Sequence, residues 1–387
     1  MAPTKLPSLL LFLFCLYRSS ACYHPLDPLT PSEISTIRSI IKSSHLASSK
    51  SLAFHYVGLD EPDKPDVLAW QSGRRAALPR RAFVIARADG QTNELYIDIS
   101  NNKSITSDKI YDGFGYPRVN VEEQTAASAL PLNYRPFVAS VRKRGLELKE
   151  VVCGASTVGW YGEERQGRRL VNLLCFVTGD TVNLFMRPLE GLTILVDLDA
   201  MEIVEYKDRR VVPVPKAAGT DYRASKQEPP FGPQTKPGVV VQPEGKGVTI
   251  DGHIVSWSNW VFHLSFDAQA GTIISLASVQ ETENSTHRSV LYRGHVSELF
   301  VPYMNPSEEW YFRTFFDAGE YGFGLSASSL EPMMDCPANA AFMDAFYAGQ
   351  DGRPVMIQNA LCVFERYDGD PSWRHTGSEI PGTAASS

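Results

Sequence analysis

The chain has 387 residues, of which 43% are hydrophobic and 21% are charged, and its formal net charge at pH 7 is −7. This composition is typical of globular proteins with a substantial core, and the length suits two to four domains. The negative charge and the absence of a long basic run exclude a general nucleic-acid-binding protein, so we expect no nucleic-acid partner.

The N-terminus has the pattern of a secretory signal peptide. Lys5 precedes an apolar run over residues 9–17, and small residues follow at 19–21. This pattern predicts removal of residues 1–21 by cleavage after Ala21, and secretion to the extracellular or cell-wall space. The alternative is an uncleaved membrane anchor. The apolar run is too short to span a bilayer comfortably and no later stretch is long enough, so we expect no membrane span.

Four of the six cysteines lie after Cys22, which would be the first residue once the signal peptide is removed. They are Cys153, Cys175, Cys336 and Cys362. Secretion favours disulfides, and the sequence alone allows three pairings. We favour the local pairs Cys153–Cys175 and Cys336–Cys362, because each would join neighbouring strands, and the spacing fits no Cys-x-x-Cys metal site. Asn102 and Asn284 begin glycosylation sequons, although such triplets also arise by chance.

Residues 22–118 predict one small α+β domain. The capping box Thr30-Pro31-Ser32-Glu33 precedes isoleucines at helical spacing, so we expect an amphipathic helix from Pro31. Strand-like runs follow, and Asp89-Gly90 predicts a hairpin turn between the last two. These runs cover residues 52–57, 82–87 and 94–99.

Residues 119–228 repeat this order of elements without repeating the residues, which indicates a weak internal duplication. A helix is predicted over residues 131–143, and strands follow it. The predicted strands cover residues 146–155, 170–178, 181–187, 193–198 and 203–206. Residues 229–246 are rich in proline, glycine, lysine and glutamine and predict a linker with little regular structure.

Residues 247–387 are dense in strand-like and aromatic runs and predict the first part of a large antiparallel β-sandwich. The predicted strands cover residues 254–266, 273–279, 290–292, 310–316 and 361–365. The expected fold class is therefore α+β. Two small helix-plus-antiparallel-sheet domains, similar to cystatin, precede part of a sandwich.

The stretch from Val301 to Gly324 is the candidate for chemistry, because it sets Asp317 behind aromatic residues and before glycines. Partial burial raises the pKa of a carboxyl group towards working pH, as a general base requires. The alternative is a turn, which is common where Asp precedes a small residue and Gly. Tyr303 could hydrogen-bond a substrate or cofactor, or simply pack. Phe315, which in a strand would share a face with Asp317, could line the approach or belong to the core.

The sequence lacks the local motifs of several other chemistries. None of its eight histidines forms His-x-His, His-x-x-x-His or His-Glu-x-x-His, so no multi-histidine metal site can be read locally. The absence of a Gly-x-Ser-x-Gly elbow, a P-loop and a dinucleotide fingerprint disfavours serine hydrolases, nucleotide hydrolases and Rossmann oxidoreductases. His263, between Phe262 and Leu264 in a predicted strand, favours a structural role.

Several segments together resemble the copper-containing primary amine oxidases, most closely those of plants. They include Trp257-Ser258-Asn259-Trp260, Leu291-Tyr292-Arg293-Gly294-His295, Val301-Pro302-Tyr303, Phe315-Phe316-Asp317-Ala318-Gly319-Glu320, Asp335-Cys336-Pro337 and Trp373-Arg374-His375-Thr376. The resemblance covers nearly all of the chain beyond the signal peptide. It implies two small α+β domains, a connecting segment and a β-sandwich catalytic domain that forms a homodimer.

The resemblance implies that a primary amine, oxygen and water are converted to an aldehyde, ammonia and hydrogen peroxide, with copper and topaquinone as cofactors. It makes Asp317 the proton acceptor, Tyr303 the tyrosine that hydrogen-bonds the quinone, and Phe315 the gate of the substrate channel. It also matches Cys336–Cys362 to a disulfide of the catalytic domain and Cys153–Cys175 to one of the second small domain.

The sequence departs from the family pattern in one respect. The quinone of this family forms from the tyrosine of an Asn-Tyr-Asp/Glu motif beyond Trp-Arg-His-Thr, and copper binds to a His-x-His pair and a third histidine further on. None of these motifs occurs here. We therefore expect the N-terminal portion of an oxidase, inactive as written, with no metal bound. The alternative is a secreted, non-catalytic binding or remnant protein, which its open strand edges would make prone to aggregation.

Overall fold

A computed structural model describes most of the chain beyond the predicted signal peptide. The described residues are 23–100, 103–157, 168–229, 232, 236, 241–281, 286–303, 314–366, 374–376 and 384–386. The predicted signal peptide, Asn102, Asn284 and about half of the predicted linker lie outside them. In the described part of the chain, every ladder between two strands is antiparallel and helices are few, which confirms the α+β class.

The described α-helices are short and lie mostly in the first half of the chain. They are α1 (Pro31–Lys42), α2 (Lys64–Gln71), α3 (Val121–Asn133), α4 (Arg135–Lys143) and α5 (Asp317–Glu320). Single 3₁₀ turns cover His45–Ser48, Leu148–Glu150, Leu184–Met186, Ala224–Lys226 and Gly324–Ser326. No helix among the described residues is both long and apolar enough to cross a membrane.

The strands of the described residues form three larger sheets and three strand pairs. The first sheet contains β1 (Leu52–Leu59), β2 (Arg81–Ala88), β3 (Gln91–Asp98) and β4 (Ser104–Ile110) in that order. The second contains β5 (Val151–Thr157), β6 (Leu170–Val177), β7 (Leu192–Asp197) and β8 (Glu202–Asp208). The third contains β9 (Val248–Asp251), β10 (Ile254–Trp257), β11 (Trp260–Asp267), β12 (Gly271–Gln280) and β13 (His287–Gly294). The pairs are β14 (Phe300–Pro302) with β15 (Thr314–Phe316), β16 (Ala341–Ala348) with β17 (Pro354–Val363), and β18 (Arg374–Thr376) with β19 (Ala384–Ser386).

Helix α1 and the first sheet form the first core, largely as the sequence predicts. The Thr30 hydroxyl accepts a hydrogen bond from the Glu33 amide at 3.2 Å, and the Glu33 carboxylate accepts one from the Thr30 amide at 2.8 Å, so the capping box is present. Asp89 and Gly90 both have positive φ in the turn from β2 to β3, as a two-residue hairpin of this kind requires. Helix α2 and strand β4 were not predicted.

The second unit corrects two predictions. The helix predicted over 131–143 is the end of α3 followed by α4, with an extended backbone at Tyr134 between them. Pro136 lies in the first turn of α4, where a missing N–H costs little. The strand predicted over 181–187 is wrong, since a 3₁₀ turn lies there. The Thr181 hydroxyl accepts a hydrogen bond from the Asn183 amide, and such local bonds compete with a strand ladder.

Both favoured disulfides are present. Cys153 and Cys175 face each other directly across β5 and β6, and Cys336 is joined to Cys362 of β17. The run predicted as one strand over 254–266 is a hairpin of β10 and β11. Ser258 has a positive φ of 51° in the turn between these strands. Because apolar residues alternate on both sides of this turn, the sequence pattern resembles one continuous strand.

Arg118, just before α3, binds both the first sheet and the end of the third. Its Nε donates to the carbonyl of His55 in β1 at 2.9 Å, and its Nη1 donates to the carbonyl of Ala268, beside β11, at 2.7 Å. The hydroxyl of Tyr56 donates to the Asp267 carboxylate at 2.7 Å, and the guanidinium lies over the Tyr56 ring. Burial lowers the pKa of Arg118, while Asp267 opposes this shift. The connection into α3 is thereby held against both neighbouring sheets.

A buried chain of charges continues this contact between the first two units. Glu123 of α3 binds Arg169 through both carboxylate oxygens, at 2.7 and 3.0 Å. Asp199 accepts from Arg169 at 3.4 Å and from Arg87 of β2 at 2.8 Å. Removing one partner would leave an unpaired buried charge, so this network favours a single docking geometry of the two units.

The His55 ring lies fully buried beside this network and is uncharged. Its Nδ1–H donates to the carbonyl of Arg118 at 2.9 Å, and its Nε2 lies 3.8 Å from the Glu123 carboxylate. Burial is the main cause that lowers the pKa of His55 to about 4, with Arg169 acting in the same direction and Glu123 opposing it.

We expect this buried histidine to make the fold sensitive to acid. Between pH 6.5 and 4 the unfolded chain binds a proton at His55 that the folded chain does not, so stability is full above pH 6.5 and falls as pH decreases. The loss is roughly 3 kcal/mol for a shift of this size. Urea unfolding of wild type and His55→Gln over this range measures it. The variant should have the smaller loss, and His45→Gln, at an exposed histidine, should behave as wild type. Equal slopes in all three proteins would contradict the assignment.

Candidate active site

The residues that the sequence singles out for chemistry lie on one hairpin and the turn after it. In the hairpin of β14 and β15, Val301 pairs with Phe315, and Pro302 pairs with Thr314. Tyr303 follows β14 and is 51% exposed, so it is not packed in the core. Asp317 is the first residue of α5, directly after β15. The structure describes Phe315 and Asp317 by their backbone only.

The ladder places Tyr303 and Asp317 beyond opposite ends of the hairpin. Position 299 lies opposite Asp317 in this register, so roughly 13 Å of strand separate the two residues at about 3.3 Å per residue. Phe315 lies between them along the strand. The condition under which Phe315 and Asp317 would share a strand face is not met, because β15 ends at Phe316 and Asp317 begins α5.

Two glutamates organise the turn that begins at Asp317. The Glu298 carboxylate accepts hydrogen bonds from the Ala318 and Leu299 amides, both at 3.0 Å. Glu320 is only 5% exposed, and its carboxylate accepts from the Phe316 amide at 3.4 Å. The backbone on either side of Asp317 is therefore held by carboxylates. Sequence reasoning missed both roles, although Glu320 lies within a segment that carries the resemblance and Glu298 lies between two of them.

The opposite side of this turn is anchored to the end of the third sheet and to the start of α3. The side-chain amide of Gln269 donates to the carbonyl of Ala318. The backbone carbonyl of Gln269 accepts a hydrogen bond from the Phe323 amide at 2.7 Å. The Glu320 carbonyl accepts from Val119 N, next to Arg118, at 2.8 Å. These bonds position the turn relative to the third sheet and to the start of α3.

Comparison with known proteins supports one family along the chain. Models described as copper amine oxidase N2 domain, N3 domain and enzyme domain match residues 24–110, 122–225 and 249–386, respectively. An Arabidopsis thaliana protein named amine oxidase [copper-containing] alpha 3, peroxisomal, is 49% identical over 98% of this chain and 57% of its own length. The primary amine oxidase of Pisum sativum is 50% identical over 92% of this chain and 53% of its own length. The chain thus spans little more than half the length of these relatives.

Solved structures support the same fold. A copper-containing benzylamine oxidase from Hansenula polymorpha superposes with a TM-score of 0.80, at 22% identity, over 94% of this chain and 58% of that one. Pichia pastoris lysyl oxidase gives a TM-score of 0.70 at 16% identity, over 93% of this chain and 55% of that one. At these identities the likeness shows the fold alone.

Gly322 makes the tight anchoring of this turn testable. Its φ is +89°, and a Cβ there would contact the Arg118 guanidinium and lie 2.5 Å from the Ala268 carbonyl. Gly115 has a similar φ of +93°, but a Cβ there would have no atom within 4 Å. We expect Gly115→Ala to cost about 1–2 kcal/mol for its backbone alone. Gly322→Ala should cost a further ~2 kcal/mol from overpacking, measured by urea unfolding. Equal losses would show that the turn is not packed against Arg118.

Proposed function

Because this chain belongs to the copper amine oxidase family, we propose that the β14–β15 hairpin and α5 form the proton-accepting part of a primary-amine oxidase site. Asp317 is the proton acceptor, Tyr303 positions the reacting group by a hydrogen bond, and Phe315 borders the substrate channel. The observation that carries the proposal is the turn at Asp317, whose backbone is held by Glu298 from one side and by Gln269 from the other.

A carboxylate at a rigid turn suits proton transfer from carbon. Abstraction of a proton next to an amine-derived nitrogen needs a base at a defined distance and angle, and positioned general bases contribute roughly 10²–10⁴-fold to rate. The partners in this reaction are a primary amine and oxygen, and a second copy of the chain would complete a homodimer.

The copper and topaquinone that the family implies do not fit the residues of this chain. Among the described residues, the group of three potential metal ligands that lie close together includes no residue of the hairpin. The sequence has no His-x-His pair and no Asn-Tyr-Asp/Glu motif. We therefore derive no step of the reaction through either cofactor, and the proposal for these 387 residues concerns the base and its positioning.

The proposal predicts that turnover in the native oxidase depends on the Asp317 carboxylate. Asp317→Asn keeps the size of the side chain but cannot accept the proton, so amine-dependent hydrogen peroxide production should fall by about 10³-fold. The measurement uses an oxidase that contains these residues together with the cofactor-binding residues that the 387 residues lack.

The matched control is Asp351→Asn, at an exposed turn aspartate that contacts Arg353. It should retain wild-type activity. Melting temperatures separate a lost base from a lost fold, since Asp317→Asn should melt as wild type does. Turnover within threefold of wild type in Asp317→Asn would reject the assignment.

We also propose that the protein is secreted after cleavage at Ala21 and carries glycans at Asn102 and Asn284. The apolar run after Lys5 and the two sequons support this route, whereas some of the relatives are named peroxisomal. We expect N-terminal sequencing of protein from the culture medium to begin at Cys22. Ala21→Arg should block this cleavage, because the site needs a small residue. Protein retained in the cell with an intact N-terminus would contradict the proposal.

A further inference from the structure

A cluster of histidines joins the segment before α1 to the third sheet. His24 and Asp27 lie just before α1, whereas His263 lies in β11, more than 230 positions along the chain. The His263 Nε2–H donates to the Asp27 carboxylate at 3.0 Å. The His24 and His263 rings are stacked with their centroids 4.3 Å apart. The His263 side chain is fully buried, and 18% of the Asp27 side chain is exposed.

This cluster has the composition and spacing of a metal site. Each of the three residues offers one ligand atom, and these atoms lie within 4.8 Å of one another. Zinc binds imidazole nitrogen and carboxylate oxygen at about 2.0–2.2 Å, so two ligand atoms on one tetrahedral ion lie roughly 3.3 Å apart. The 3.0 Å between His263 and Asp27 is already close to this value. Completing the set requires the stacked His24 and His263 rings, now 20° from parallel, to turn so that their nitrogen lone pairs converge on one ion.

The polar atoms of the cluster are not all satisfied by the protein. His263 Nδ1 is buried and has no hydrogen-bond partner among the described residues. An unpaired polar atom in a protein interior is costly, and it marks a place where a ligand is missing or a strained group is retained. A metal ion at Nδ1 would remove this penalty and keep the Nε2–H bond to Asp27, whereas an ion at Nε2 would replace that bond and leave Nδ1 unpaired.

Two further rings border the cluster. The Trp70 and His24 rings lie edge to face with their centroids 4.8 Å apart. The His253 Nδ1–H donates to the Leu264 carbonyl at 2.9 Å, and the His253 ring lies 5.7 Å from that of His263.

We propose that His24, Asp27 and His263 bind a divalent ion of the zinc type. Two nitrogens and one carboxylate oxygen suit zinc among the common divalent ions. The bound ion fastens the segment before α1 to β11. It is therefore a structural staple between the first and third units, separate from the hairpin that carries Asp317. No motif marks this site in the sequence, because ligands so far apart along the chain form no local pattern.

The experiment counts zinc in the full chain. Wild type, His24→Gln and Asp27→Asn are stripped with a chelator, incubated with zinc chloride, desalted and analysed by atomic emission. Wild type should retain one more zinc per chain than either variant, with no difference in any other metal. Zinc should raise the melting temperature of wild type by about 3 °C or more and leave the two variants unchanged.

His45→Gln is the matched control, since His45 is an exposed histidine outside the cluster. It should retain as much zinc as wild type. Cobalt(II) supplies a second readout that does not depend on stability, because a tetrahedral site gives intense visible absorption that Asp27→Asn should lose. Equal zinc counts in wild type and the ligand variants would overturn the proposal. The cluster would then be a hydrogen-bonded group with one unsatisfied nitrogen.

Discussion

The contact on which the rest of the structure depends is the buried guanidinium of Arg118. It binds a carbonyl of the first sheet and a carbonyl beside the third sheet, and the next residue, Val119, binds the turn that contains Asp317. One side chain therefore relates the two small units to the candidate site. Gly322 lies so close to Arg118 that no side chain fits between them. The position of the site is thus determined by residues far from it in sequence.

Most of the first unit could be predicted because its signals are local. A capping box fixes where α1 begins, and two residues with positive φ fix the turn after β2. The failures came where tertiary contacts override local pattern. Residues 181–187 have strand-like composition, yet β7 occupies the place beside β6. The turn at Ser258 was missed because Ser carries no turn signal as strong as that of Gly or Asn.

The candidate site could also be predicted only in part from the sequence. The resemblance identified Asp317, Tyr303 and Phe315, and the hairpin places them on adjacent strands and the following turn. The groups that hold this turn could not be predicted from spacing. Gln269 and Arg118 are separated from it by about 50 and 200 residues, and a hydrogen bond between a side chain and a distant carbonyl leaves no periodic trace in a sequence. A motif in the sequence can identify a candidate base, whereas the groups that position it are found only in the structure.

The first small unit is part of the scaffold rather than an appendage. Its α2 and β1 ends meet the third sheet through Glu61 with Arg293 and through Lys64 over the Tyr292 ring. Its Phe54 amide also binds the carbonyl of Gln350 in the turn after β16. The entropy of closing such long loops grows only with the logarithm of their length, so several modest contacts can offset it together where one could not. Docking of this unit should therefore be cooperative. The buried charges near Arg118 then select one arrangement, because any other leaves a charge without its partner.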